Sequence, residues 1–261
     1  MSIKSKVLAA ATTLTLVGGV GVASALTAGP AAAGTPSCGK SCVNISNKDF
    51  GPGFVIDVLR QGEKVGQPII LFKGSNSDPA LDFTASFQGL TSDFFAAGLV
   101  SAAVNLHYGG GAPSQCPLPI PTPKGFVQGS NCDDPAFEYE YSPFGVGSGL
   151  CVGTATTAIQ GEGVTLQPCG VSGKTVWIWD VGGNADDPDA LADGFFPLIN
   201  GSDTNFSHPF VLTYPKNGFP TDKPRPQLQV DNLTGFSNGF GPIVGSVSSN
   251  QLWSFTLGVL P

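Results

Sequence analysis

An all-β fold of three similar four-stranded units is what this sequence predicts, and three observations predict it. Between Gly149 and Asp180, the stretch GLCVGTATTAIQGEGVTLQPCGVSGKTVWIWD sets a short strand with a Cys, a turn-rich segment, a second strand with a Cys and a Trp-containing strand. Echoes of this unit begin at Phe54 and Phe210. One such unit cannot bury its apolar face alone, so the repeats imply three pieces packed on a shared core. Finally, with 36 Gly and 22 Pro against 12% charged residues, the chain reads as short strands joined by turns. No later stretch holds a long apolar period of 3.6, so helix is expected to be scarce.

The N-terminus reads as an export signal over residues 1–33. Lys4 and Lys6 are followed by an apolar, small-residue run from Val7 to Ala28, and Ala31-Ala32-Ala33 offers a cleavage site, with Ala23-Ser24-Ala25 as an earlier option. Residues 34–261 then form the β domain, secreted and without a membrane span after cleavage. The first unit opens with Cys42-Val43-Asn44-Ile45 and runs through Phe54–Val58, QPIILF and LDFT. Phe94–Tyr108 follows, outside the repeat. Its end places Ala102, Val104, Leu106 and Tyr108 at alternate positions, which predicts an inserted strand or hairpin. Pro113–Asp134 is a Pro-rich loop. The second unit opens at Phe137–Tyr141, with Phe137, Tyr139 and Tyr141 on one face and Glu138 and Glu140 facing water. The third opens at Phe196–Ile199 and reaches Trp253 only after a Gly- and Ser-rich insertion from Thr234 to Ser249. Spacing counted from Val55 and from Cys151 places Ile70 and Leu166 fifteen residues on.

Removing Lys4 and Lys6 with the signal leaves ten Lys and Arg against nineteen Asp and Glu, a net charge of −9 that argues against nucleic acid as a partner. All six cysteines lie beyond the signal, and in an exported chain an even count reads as disulfides with fifteen possible connectivities. Proximity favours Cys38–Cys42, Cys116–Cys132 and Cys151–Cys169. A zinc site lacks a close pair of Cys pairs and has only His107 and His208 to draw on. No cofactor is implied.

SGLCVGTA, VTLQPC and QLWSF resemble the ricin B-type β-trefoil lectins, whose repeats read roughly Gly-x-Cys-Leu-Asp-Val, then x-Gln-Leu-Trp-x-Cys, then Gln-x-Trp. The resemblance spans residues 42–257 and implies a β-trefoil whose Trp of Gln-x-Trp is a core residue. It also implies sugar sites built from a carboxylate, an aromatic platform and an amide. Carried over by residue, the first unit keeps the acid as Asp57 and a ring as Phe72, with Ala80 and Leu81 at the amide positions. The second has Gly153 for the acid, Gln167 for the ring and Lys174-Thr175 for the amides. The third keeps Asn250 and Gln251, with Leu212 near the acid's place and Val230 near the ring's. No unit holds the complete set, and Asp57 with Phe72 is the least altered.

The other motifs carry less chemistry. Gly235-Phe236-Ser237-Asn238-Gly239 matches G-x-S-x-G but lacks the helix a nucleophile elbow needs. The acidic run Asn184, Asp186, Asp187, Asp189 and Asp193 lacks the spacing of a calcium-binding loop and reads as solvated. Asp57 has a structural alternative as a turn cap, and Phe72, Trp177 and Trp253 as core. Trp179 with Tyr139 or Phe144 is a second candidate aromatic site. The sequence thus predicts a secreted, non-enzymatic binding protein with an extracellular or cell-wall glycan as partner. The alternatives are an inhibitor of a protease or other enzyme acting on a protein target through a protruding loop, or a structural surface protein.

Overall fold

A computed structural model describes residues 38–75, 77–110, 120–122, 125–127, 133–180, 194–206, 208–216, 218–235 and 247–257, and fifteen strands lie among these described residues. The first unit consists of β1 (Val43–Asn47), β2 (Phe54–Val58), β3 (Ile69–Lys73) and β4 (Phe83–Leu90). The second consists of β7 (Pro135–Tyr141), β8 (Leu150–Gly153), β10 (Thr165–Pro168) and β11 (Val176–Trp179). The third consists of β12 (Leu198–Asn200), β13 (Phe210–Thr213), β14 (Gln229–Asn232) and β15 (Trp253–Leu257). The remaining strands are a small hairpin of β5 (Ile120–Thr122) and β6 (Gly125–Val127), and β9 (Glu162–Gly163), which borders β14.

The pairing is that of a β-trefoil. The last strand of each unit pairs antiparallel with the first strand of the next: β4 with β7, β11 with β12, and β15 with β1. The middle strands form three hairpins, β2–β3, β8–β10 and β13–β14. A ring of backbone hydrogen bonds joins these hairpins head to tail. Ile69 N–H donates to Val164 O (3.0 Å), Val164 to Leu228 (2.7 Å) and Leu228 to Ile69 (2.8 Å). Such a ring satisfies three buried donors and acceptors at once, which a single hairpin cannot do.

Alternation fills the interior. Phe83, Phe137, Tyr139, Tyr141, Trp177, Trp179 and Trp253 join Ile56, Ile69, Val152, Leu166, Leu212 and Leu228 of the hairpins in one core. Trp177 Nε1 donates to Val152 O (2.9 Å) and Trp253 Nε1 to Leu212 O (2.8 Å), the same bond in two units. Phe83 holds the position in the first unit without a donor. Asn47 and Asn200 also correspond, each donating its side-chain amide to the carbonyl three residues before the Trp opposite it in the ladder, at Asn250 O (3.1 Å) and Lys174 O (3.0 Å).

Phe94–Tyr108 contradicts the expected strand or hairpin. It forms α1 (Thr91–Ala96) and α2 (Ala102–Tyr108). Asp93 accepts from Leu90 N–H at the start of α1, and Ser101 accepts from Val104 N–H at the start of α2. Val104 and Tyr108, one turn apart, are buried, while Leu106 is 69% exposed. With Phe94 and Val100 these helices cover Ala136, Val176, Ile178, Ile199 and Val211 on the outer face of the barrel, making a second core. A bulge between Ala85 and Phe87 lets β4 serve both layers: Ala85 packs inward, and Phe87 turns out against Phe94, their rings 4.4 Å apart.

Glu138 is a further correction. It is buried, not solvated, and its carboxylate accepts from Thr175 Oγ1 and Gly170 N–H. The bridges Cys38–Cys42 and Cys151–Cys169 are formed, the second tying β8 to the end of β10 with Cα atoms 5.0 Å apart. The signal segment, Cys116, Cys132, the Asn184–Asp193 run and Ser237 lie outside the described residues.

Candidate functional site

The β2–β3 hairpin has two faces because its side chains alternate. Ile56, Val58, Ile69 and Leu71 enter the main core, while Val55, Asp57, Ile70 and Phe72 belong to neither core. In the ladder Asp57 faces Ile70, and Val55 faces Phe72. Asp57 and Phe72 are therefore diagonal neighbours on the outer face, Asp57 buried there and Phe72 half-buried.

Three further elements close on this face. The short turn Pro79–Leu81 starts at Asp78, whose carboxylate accepts from Ala80 N–H (3.0 Å) and from the Gln61 side-chain amide (3.1 Å). Gln61 reaches it from a turn in which Arg60 and Gln61 both have positive φ, 58° and 55°. Non-glycine residues seldom adopt that conformation, and it marks the turn as held by its surroundings. From the third unit, Arg225 lays its guanidinium 4.0 Å from the centre of the Phe72 ring. Its Nε is buried with no hydrogen-bond partner among the described residues. Burial pushes the Asp57 carboxyl up to about 7, reinforced by the negative Asp78 and opposed by Arg225.

The other units have lost this arrangement for visible reasons. A Cβ at Gly153 would meet Lys174 O at 2.6 Å, so backbone fills the space an acid would need. In the third unit the strand register places Thr213 opposite Gln229 and Asp231 opposite Val211. Thr213 and Asp231, one residue beyond Leu212 and Val230, are thus the true counterparts of Asp57 and Phe72. Asp231 there accepts from the Gln160 and Gln229 amides, at 2.6 and 2.7 Å. Gln251 is buried between Thr213, Asn232 and Thr234, and Asn250 donates to Tyr214 O (2.7 Å). Both amides are thus engaged inside the protein, Gln251 with Thr213, Asn232 and Thr234 and Asn250 with Tyr214.

The Trp179 aromatic site is not formed at the surface. Trp179 is buried, donates from Nε1 to Tyr139 Oη (3.0 Å) and packs in the core, whereas Phe144 is exposed. Phe72, by contrast, is half-buried outside the core. His107 lies on α2 beside Phe206, not on a strand, with burial lowering its basicity. Among the described residues, the one set of Cys and Asp close enough to share a metal ion is Cys38, Cys42 and Asp82, and its two sulfurs are bonded to each other. Sequence reading missed Gln61, Asp78 and Arg225, which come from connecting turns outside the repeat pattern.

This architecture makes the chain an all-β protein of the β-trefoil class, a statement that rests on the strand pairing above. No family model matches the chain, and no curated protein matches it. Among solved structures, it is similar to the designed 3-fold symmetric protein ThreeFoil (TM-score 0.44, 12% identity, covering 83% of this chain and 98% of that one). It is also similar to the Rhizoctonia solani agglutinin (TM-score 0.42, 15% identity, 88% and 99%). A mosquitocidal holotoxin gives TM-score 0.44 at 12% identity over 82% of this chain, which spans 17% of that chain's length.

Proposed function

We propose that this protein is a secreted, non-enzymatic binding protein whose ligand is an extracellular glycan held on the outer face of the first unit. The observation that carries this reading is the convergence of Asp57, Phe72 and Gln61, linked through Asp78. A carboxylate accepts paired hydroxyls, a ring packs against the apolar side of a sugar, and an amide offers both donor and acceptor. Gln61 supplies the amide function absent at Ala80 and Leu81. Arg225 occupies one face of Phe72 and adds a cation that an acidic sugar would meet.

The test is binding of the exported, oxidised chain to cell-wall polysaccharides and soluble glycans, with Asp57→Ala and Phe72→Ala alongside. Saturable binding weakened at least tenfold in each variant is the expected result. Because the Asp57 carboxyl accepts paired hydroxyls through both oxygens only when ionised, binding should also strengthen between pH 6 and pH 8. Absence of binding to any glycan overturns the reading.

A further inference from the structure

We infer that the barrel contains a second binding site, independent of the Asp57 face, for a small uncharged amphipathic molecule: an aromatic ring or short acyl chain bearing a hydroxyl or amide. It lies where the threefold pattern breaks. In the second unit the first and last strands are joined by a ladder, Val176↔Glu138, Trp177↔Phe137 and Ile178↔Ala136. In the third, Phe196 and Trp253 exchange two backbone hydrogen bonds of 2.8 Å. In the first, no ladder joins β1 to β4 among the described residues. β4 instead follows β7 along its whole length, through the bulge after Ala85.

The open seam holds a cavity of about 290 Å³. Val43, Ala85, Phe137 and Phe255 give it apolar walls, and buried Tyr139 lies at its inner side. Ser41, Thr84 and Gln88 supply polar groups, Gln88 being exposed to solvent. Among the described residues, none that lines the cavity carries a charge, so an ion entering would lose its hydration without a partner there, and an uncharged ligand is selected. The volume sits at the lower end for ligand pockets, about 300 Å³, which suits one ring or a short chain. An extended peptide does not fit where the strands approach. Cα atoms of β1 and β4 approach within 8 Å, whereas a strand inserted between them needs about 9.5 Å.

Benzyl alcohol and 1-hexanol are suitable probes, with benzoate and benzylamine as charged counterparts, read by melting temperature and by tryptophan fluorescence. Trp179 reports on the cavity because its ring lies 3.7 Å from that of Phe255 and it donates to Tyr139. The neutral probes should give saturable shifts in both signals, and the charged ones should bind at least tenfold more weakly. Ala85→Phe, which fills the cavity, should abolish the shifts. Should that variant fail to fold, judged by near-ultraviolet circular dichroism, Val43→Phe fills it from the opposite strand. Absence of saturable neutral-probe binding, equal binding of the charged probes, or undiminished binding by a folded filled variant would each overturn the proposal. None of these outcomes bears on the glycan reading, since no lining residue belongs to that face.

Discussion

Asp57 shows how one position in a repeat acquires its character from neighbours that sequence spacing does not reveal. The carboxyl sits among Val55, Ile70 and Phe72, beside Asp78, and is held protonated up to about pH 7, whereas in the unfolded chain it ionises near 3.8. Between those values the native state keeps a proton that the unfolded state has released, so this group makes stability fall as pH rises from about 4 to about 7 and has no further effect above. Asp57→Asn removes the dependence. Denaturant unfolding should show the stability difference, wild type minus variant, dropping by up to about 4 kcal/mol across that window, at 1.36 kcal/mol per pH unit. A difference that stays constant with pH would show that the group is hydrated in the native state. Asp57 and Phe72 were singled out by the resemblance to ricin B-type repeats, and the strand register sets them on one face. Gln61, Asp78 and Arg225 were not, because turns bring them in and turns obey no period.

The inserted segment separates two readings of one element. Alternate residues from Ala102 to Tyr108 suggest a strand, yet the local signals for helix were present: Ser101 ahead of Ala102-Ala103, Asp93 three residues into α1, and Gly98 and Gly109 at the two ends. A seven-residue helix shows too few turns for its period to outweigh an accidental alternation of two. Burial decides the matter, since Val104 and Tyr108 face the barrel four residues apart. Leu106→Ala should therefore cost less than about 0.5 kcal/mol, whereas Phe94→Ala, which empties the layer between helices and sheet, should cost about 3–5 kcal/mol. Comparable losses from both substitutions, measured by urea unfolding, would restore the strand reading. Glu138 is a similar case. A strand alternates its side chains whatever lies outside it, and here Thr175 and Gly170 cover the side expected to meet water.

At the scale of the whole molecule, the three units are held by the backbone ring at Ile69, Val164 and Leu228 and by the three ladders that pass from each unit to the next. The Cys151–Cys169 bridge limits how far the second unit can open once unfolded. Replacing both cysteines by Ser should lower unfolding free energy by about 3 kcal/mol while leaving the fold intact, as read by the denaturant midpoint and the near-ultraviolet spectrum. A midpoint unchanged from wild type would show that the bridge restrains nothing in the denatured chain. The sequence by itself determined the all-β class and the three units and favoured the pairing of Cys151 with Cys169, because each depends on alternation or spacing along a few residues, and the resemblance to ricin B-type repeats pointed to Trp253 as core. Tertiary structure alone decided the register of the third hairpin, the helical layer over the barrel, the turn residues around Asp57 and the open seam between β1 and β4. These depend on which surfaces meet across distant parts of the chain, and the same local pattern is compatible with either outcome until packing selects one.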